Sequence, residues 1–172
     1  EACRYSMASP YFFRPGKIGE KWVVDGGMQN NYPVFALLDN YPELKDSSNF
    51  IGLYLGPKKA EKNRELLLLD LFSIWSESAD EKALEDFIDR TIVIDPRPVR
   101  TTDFSLSPND VEFLLAEGRA SALRWLCFNW FGPDRSALEA LAEEAERESA
   151  RLRTLVINER WRKFWPKLTL SI

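Results

Sequence analysis

The sequence predicts an α/β fold, a three-layer α/β/α arrangement in which a largely parallel central sheet is covered by helices on both faces. Three runs carry that expectation. Residues 21–25, 50–55 and 91–95 are short and rich in β-branched or aromatic side chains, as buried strands are. The stretches between and after them show helical apolar spacing, and strands separated by helices require crossovers that leave the strands parallel. With 172 residues and 45% apolar content, the chain can fill one substantial core. No internal repeat or low-complexity tract interrupts it.

In chain order, Lys21-Trp22-Val23-Val24-Asp25 reads as a strand that ends on a carboxylate. Gly26 and Gly27 follow, so the backbone can bend sharply and approach another group closely. Asn30 and Asn31 tolerate left-handed turn geometry, and Pro33 suits the first turn of a helix running to about Leu38. A second strand covers 50–55. Residues 63–76 then predict a helix with Leu66, Leu67, Leu69, Leu71, Phe72 and Trp75 as its apolar positions. Lys82 to Asp89 is a shorter helical candidate before the strand at 91–95.

The charged, proline-stiffened segment Asp95 to Asp103 reads as a solvated connection. A phosphate headgroup meeting Arg97 and Arg100 is the sharper and less favoured reading, and Asp95 and Asp103 are assigned no chemistry. Ser107-Pro108-Asn109-Asp110 is a strong helix start: Ser caps, Pro fills the first turn, and Asp110 complements the helix dipole. That helix is expected to run through Ala116, Ala120 and Leu123 to about Trp130 and to stop at Gly132-Pro133.

The tail divides by charge. Asp134 to Glu148 holds six acids against two bases, and Arg151 to Lys167 holds six bases against one acid. Ile157, Trp161, Phe164, Trp165 and Leu168 fall near helical spacing and form an apolar stripe flanked by cations. Such a stripe either packs on the parent domain or on itself, with the acidic half folding back on the basic half, or lies on an anionic membrane surface; packing or self-association is favoured.

Composition excludes several chemistries. A net charge of −4 argues against nucleic-acid binding. The absence of histidine rules out a Ser-His-Asp triad within these residues and removes the commonest metal ligand, and no carboxylate loop has calcium-binding spacing. Neither a metal nor a cofactor is expected. Cys3 and Cys127 have no redox or metal spacing and read as free buried thiols, pointing to a cytoplasmic or peripheral membrane protein. No apolar run approaches the roughly 20 residues that a membrane-spanning helix needs.

The motif that carries chemistry is Asp25-Gly26-Gly27. Alone it is also an ordinary turn. Its flank, Arg4-Tyr5-Ser6-Met7-Ala8-Ser9-Pro10-Tyr11-Phe12-Phe13-Arg14-Pro15, strengthens it. Together, residues 2–38 resemble the segment around the catalytic acid of patatin-like phospholipases, lipid acyl hydrolases with a Ser-Asp dyad. In that family a small-residue helix ending in Ser-x-x-x-Pro and an aromatic pair precede Asp-Gly-Gly or Asp-Gly-Ala, with an Asn and a Pro after it, as Asn31 and Pro33 stand here. A looser likeness extends through Ile51 to Leu55, Thr102 to Phe104 and Gly118 to Leu126; beyond about residue 130 there is none.

The resemblance implies that Asp25 is the catalytic base and that Gly26, Gly27, Asn31 and Pro33 shape its loop. Phe12, Phe13 and Trp22 are expected as apolar walls that desolvate Asp25 and receive acyl chains. The family's nucleophile motif, Gly-x-Ser-x-Gly, is missing: the pair at that spacing, Gly52 and Gly56, encloses Tyr54 instead. The expectation is therefore that residues 1–131 are the C-terminal part of a patatin-like hydrolase domain and 132–172 a helical extension. A serine on a preceding segment would complete the site, and these residues alone would be inactive. The implied substrate is a phospholipid, lysophospholipid or other acyl ester. Peripheral membrane contact would run through Arg151 to Lys167. The alternative is a non-catalytic member of the same fold, acting as a membrane- or protein-interaction module with Asp25 as a turn residue.

Overall fold

A computed structural model of the chain describes residues 1–10, 12–46, 49–56, 80–100 and 103–168, with side chains placed to 163. The helix expected at 63–76 and Thr102 lie outside the described residues. In order, the elements are α1 (Ala2–Ser6), β1 (Gly16–Ile18), β2 (Lys21–Val23), a 3-10 turn (Gly26–Met28), α2 (Val34–Asn40), a 3-10 turn (Pro42–Leu44) and β3 (Gly52–Leu55). Residues 80–86 are helical (α3). A 3-10 turn (Ile88–Arg90), β4 (Thr91–Ile94), α4 (Pro108–Asn129) and α5 (Arg135–Leu168) complete the chain. Two compact units result: Glu1–Gly52 with Lys59–Thr91, and Leu53–Lys58 with Ile92–Ile172.

In the first unit the expected strand at 21–25 forms as β2, but it pairs antiparallel with β1 in a hairpin, Gly16 opposite Val23 and Ile18 opposite Lys21. Gly19, at φ 60°, occupies the first central position of the two-residue loop, where primed turns require positive φ. The strand is not the buried one expected, because a ribbon of two three-residue strands is open on both faces. Trp22 is 70% exposed, and Lys17 Nζ sits 5.6 Å above its ring. In α2, Val34 and Leu38 stand one turn apart and are buried. Phe87 meets Phe35 and Phe50 edge-on at 6.0 and 5.8 Å. The Arg90 guanidinium covers Phe50 at 5.5 Å. Cys3, on a helix with no buried residue, is exposed, and Cys127 is only half-buried, so neither is the buried thiol expected.

In the second unit, β3 and β4 are hydrogen-bonded neighbours, and the ladder continues where the Gly56 amide donates to the Ile94 carbonyl at 2.9 Å. The described chain is mixed α/β, with five helices and a small parallel sheet of two strands. The rest of this unit is a helix pair. Ser107 and Asp110 form a reciprocal capping box at the start of α4, as the sequence predicts, and α4 ends at Asn129. Following it, α5 is a single continuous helix of 34 residues, about 50 Å long at 1.5 Å per residue. The acidic half therefore does not fold back on the basic half; it packs with α4.

Phe113, Leu152, Val156 and Val99 make the seam of the pair, with Leu114 and Ala116 against them. Ala120, Ala142 and Ala145 are buried small residues that let the helices approach closely. Within the seam, Glu117 accepts from Ser121 and Ser149 and pairs with Arg153 at 3.3 Å. Asp110 accepts from Arg160 at 3.0 Å, Glu146 pairs with Arg124 at 2.6 Å, and Asn109 donates to Glu159. The partners run antiparallel: from Arg124 through Glu117 to Asp110, toward the start of α4, the partner moves from Glu146 through Arg153 to Arg160, toward the end of α5.

The loop after β4 is not the solvated connection expected. Its Val99 is 6% exposed, and two arginines of α5 hold its backbone. Arg153 donates to the carbonyls of Asp95 and Arg97 at 3.1 and 2.9 Å, and Arg160 to that of Pro98 at 3.2 Å. A loop that turns carbonyls inward must find donors for them, and α5 supplies those donors.

Candidate functional site

Asp25 lies just past the end of β2, where the chain leaves the hairpin and enters the turn Gly26–Met28 as its N-cap (φ −55°, ψ 124°). Its own amide donates to the Ala8 carbonyl at 3.1 Å, fixing the backbone against the segment that follows α1. One carboxylate oxygen, Oδ1, accepts from the Gly27 amide at 2.9 Å. The other, Oδ2, accepts from the Ser9 hydroxyl at 2.8 Å. Among the described residues no cation pairs with this half-buried carboxylate. A Cβ on Gly27 would lie 2.8 Å from Asn31 Oδ1 and 3.2 Å from Asp25 Oδ1, whereas one on Gly26 would meet nothing within 4 Å. The second glycine is therefore the one the turn requires sterically.

Beyond the turn, the chain is pinned by a group the sequence did not reveal. Asp80, 2% exposed, accepts from the amides of both Asn31 and Tyr32 at 2.9 Å. Burial pushes its carboxyl above the ordinary value, and those two amides oppose the rise only in part. Asn30 Oδ1 adds a second acceptor, 3.1 Å from the Tyr32 amide. The Tyr32 ring runs inward, 4% exposed, and its hydroxyl meets Thr91 Oγ1 at 2.6 Å. Thr91 spends its one hydroxyl proton on the Phe87 carbonyl, so Tyr32 is the donor of that pair. Burial pushes the Tyr32 phenol up, which keeps the donor protonated. Gly52 makes room: a Cβ there would overlap the Tyr32 hydroxyl and stand 2.7 and 2.9 Å from Cζ and Cε2.

Of the residues the sequence singled out, Asp25, Gly26 and Gly27 share one turn with the Asn31 side chain against it, and Pro33 is the N-cap residue of α2. Phe12, Phe13 and Trp22 are 42, 50 and 70% exposed. Their faces are therefore open to solvent. Ser9, Tyr32, Asp80 and Thr91 were missed, since partners 16 to 59 residues apart leave no local spacing to read.

Asp95, Asp103 and Asp110, the first two half-buried and the third buried, have structural partners. Burial would raise Asp95, Asp103 and Asp110, yet all three fall below the ordinary value because hydrogen bonds and charge prevail. Asp95 accepts bidentately from Arg97, at 2.9 and 2.7 Å, and Arg160 bridges Asp103 at 2.6 Å to Asp110 at 3.0 Å. The guanidinium of Arg97 is thus held by Asp95. Of the tail bases, Arg151 pairs with Glu148, while Arg153 and Arg160 are taken up as described. Trp161 is 60% exposed and Ile157 37%, so packing on α4 does not cover the described part of the tail stripe.

Among the described residues no group of three or more Cys, Asp or Glu is placed to hold a metal ion, and no helix is long and apolar enough to cross a membrane. Comparisons of the chain with protein-family profiles, with curated proteins and with solved structures found no match.

Proposed function

We propose that Asp25 is the general base of a Ser-Asp acyl hydrolase, acting on a serine that lies outside the motifs of these 172 residues, in a patatin-like three-layer α/β/α domain. The observation that carries the reading is the way Asp25 is held. Its two oxygens rest on a hydroxyl and an amide rather than on arginine. A carboxylate locked into a guanidinium pair, as Asp95 and Asp110 are, is a poor proton acceptor. Asp80 also lacks a cation among the described residues, but at 2% exposure it cannot meet a substrate. The wider fold has separate support: a parallel sheet is normally covered on both faces, yet Leu53 and Leu55 of β3 are 65 and 64% exposed. Further strands and helices would cover them.

In this reaction the serine Oγ attacks the ester carbonyl while Asp25 takes its proton, and backbone amides stabilise the oxyanion. Collapse of the tetrahedral intermediate breaks the ester C–O bond, and Asp25 returns the proton to the departing alcohol. Water then attacks the acyl-serine, Asp25 accepts its proton, and that proton passes to the released serine as the carboxylic acid leaves. The substrate class is a phospholipid, a lysophospholipid or a neutral acyl ester. Contact with a lipid surface would fall to Trp161, Arg162 and Lys163, since the preceding arginines are paired within the chain.

Asp25→Asn in the complete hydrolase tests the assignment. It preserves shape and the Gly27 contact but removes the base, so kcat should fall by about 10²–10⁴ with folding unchanged by circular dichroism. Near-normal turnover would remove Asp25 from the chemistry.

A further inference from the structure

We infer that Ser9 is a positioning residue for Asp25, fixing the plane of its carboxylate through Oδ2 so that the remaining lone pairs face one direction; this rests on Asp25 being the base. A carboxylate has about four acceptor sites on two oxygens, and rotation about χ2 of an Asp is soft. One donor leaves that rotation free to rock, whereas two donors on different oxygens stop it. Here the Gly27 amide takes Oδ1 at 2.9 Å and the Ser9 hydroxyl takes Oδ2 at 2.8 Å.

The segment that carries Ser9 is itself anchored. Ala8, 2% exposed, accepts the Asp25 amide at 3.1 Å. The Ser9 carbonyl accepts from the amides of Phe12 and Phe13 at 3.3 and 3.0 Å. Ala8 and Ser9 therefore grip Asp25 through backbone and side chain at once, across 16 residues of chain. Both donors to the carboxylate are uncharged, so they orient it without the arginine pairing seen at Asp95, Asp103 and Asp110. A hydroxyl that has given its only proton to Asp25 is a fixture of the base.

The test compares Ser9→Ala, Ser9→Thr and Asp25→Asn in the complete hydrolase, with kcat and KM on a soluble acyl ester and the thermal midpoint for each. Ser9→Ala should lower kcat about tenfold or more at unchanged KM, well beyond what the modest drop in midpoint from one lost hydrogen bond accounts for, because misplacing a catalytic group by a fraction of an ångström costs rate rather than binding. Ser9→Thr keeps the hydroxyl and should restore most of the loss. If Asp25→Asn abolishes turnover while Ser9→Ala leaves kcat intact, or lowers it only in step with the midpoint, the role of Ser9 is overturned and that of Asp25 stands. If Asp25→Asn remains active, both fall.

Discussion

Gly52→Ala tests whether the chain beyond Asp25 is anchored by Tyr32, as the geometry requires. The added methyl would overlap the Tyr32 hydroxyl and crowd Cζ and Cε2 at 2.7 and 2.9 Å, so the ring must withdraw from Thr91. Overpacking of a full core costs roughly 1–3 kcal/mol, and the lost hydroxyl pair adds about 1 kcal/mol. Together they predict a destabilisation of about 2–4 kcal/mol. Tyr32→Phe alone removes only the hydrogen bond and should cost about 1 kcal/mol, since Thr91 still donates to the Phe87 carbonyl. In the Tyr32→Phe background the worst overlap is gone, so Gly52→Ala should cost at least about 1 kcal/mol less than in the native chain, a coupling of the size contacting residues show. Urea unfolding of the four chains, read as the midpoint at constant slope, gives each value. A cost for Gly52→Ala below about 0.5 kcal/mol, or one that is the same in both backgrounds, would refute the anchoring.

Phe113 is fully buried between α4 and α5, so Phe113→Ala should cost about 3–5 kcal/mol in urea unfolding, whereas a cost under 1 kcal/mol would place the core of the helix pair elsewhere. Asp103 and Asp110 are held below their ordinary carboxyl value, by hydrogen bonds and the charge of Arg160 outweighing burial. Their contribution to stability is complete above pH ~4, the unfolded value, and is lost as pH falls through the lower folded values. A thermal midpoint measured from pH 6 to 2 should drop below pH ~4, and Arg160→Gln should flatten that drop; an unchanged profile in the variant would dissociate Arg160 from it.

What the sequence conveyed was local. The cap at Ser107 and Asp110, the stop before Gly132-Pro133, the strand at 91–95 and the bend at Asp25-Gly26-Gly27 all depend on neighbours within a few residues, and all appear. The first strand was legible as extended chain but not as a hairpin, because its partner Gly16-Lys17-Ile18 is too short to show a period. The tail stripe and its flanking bases read as packing on the parent domain or lying on a membrane, with no partner legible for any one base, yet Arg153 and Arg160 satisfy a loop more than 50 positions upstream. Charge pattern reports what a side chain can pair with, and only the fold decides which partner arrives. The same limit hid Ser9 and Asp80: each acts on a backbone segment or carboxylate that folding alone delivers.

The two arginines stand seven residues apart on α5, and both reach the loop that follows β4 while gripping acids on α4. Alanine-lined surfaces are smooth, and by themselves would allow one rod to slide along another. Sliding by a single turn, about 5.4 Å, would strip both guanidinium groups of the acids they hold on α4 in the same motion and leave Glu117, 6% exposed, without its Arg153 and Ser149 partners. No halfway stop is available. The pair is keyed like a two-pin plug, seated fully or not at all.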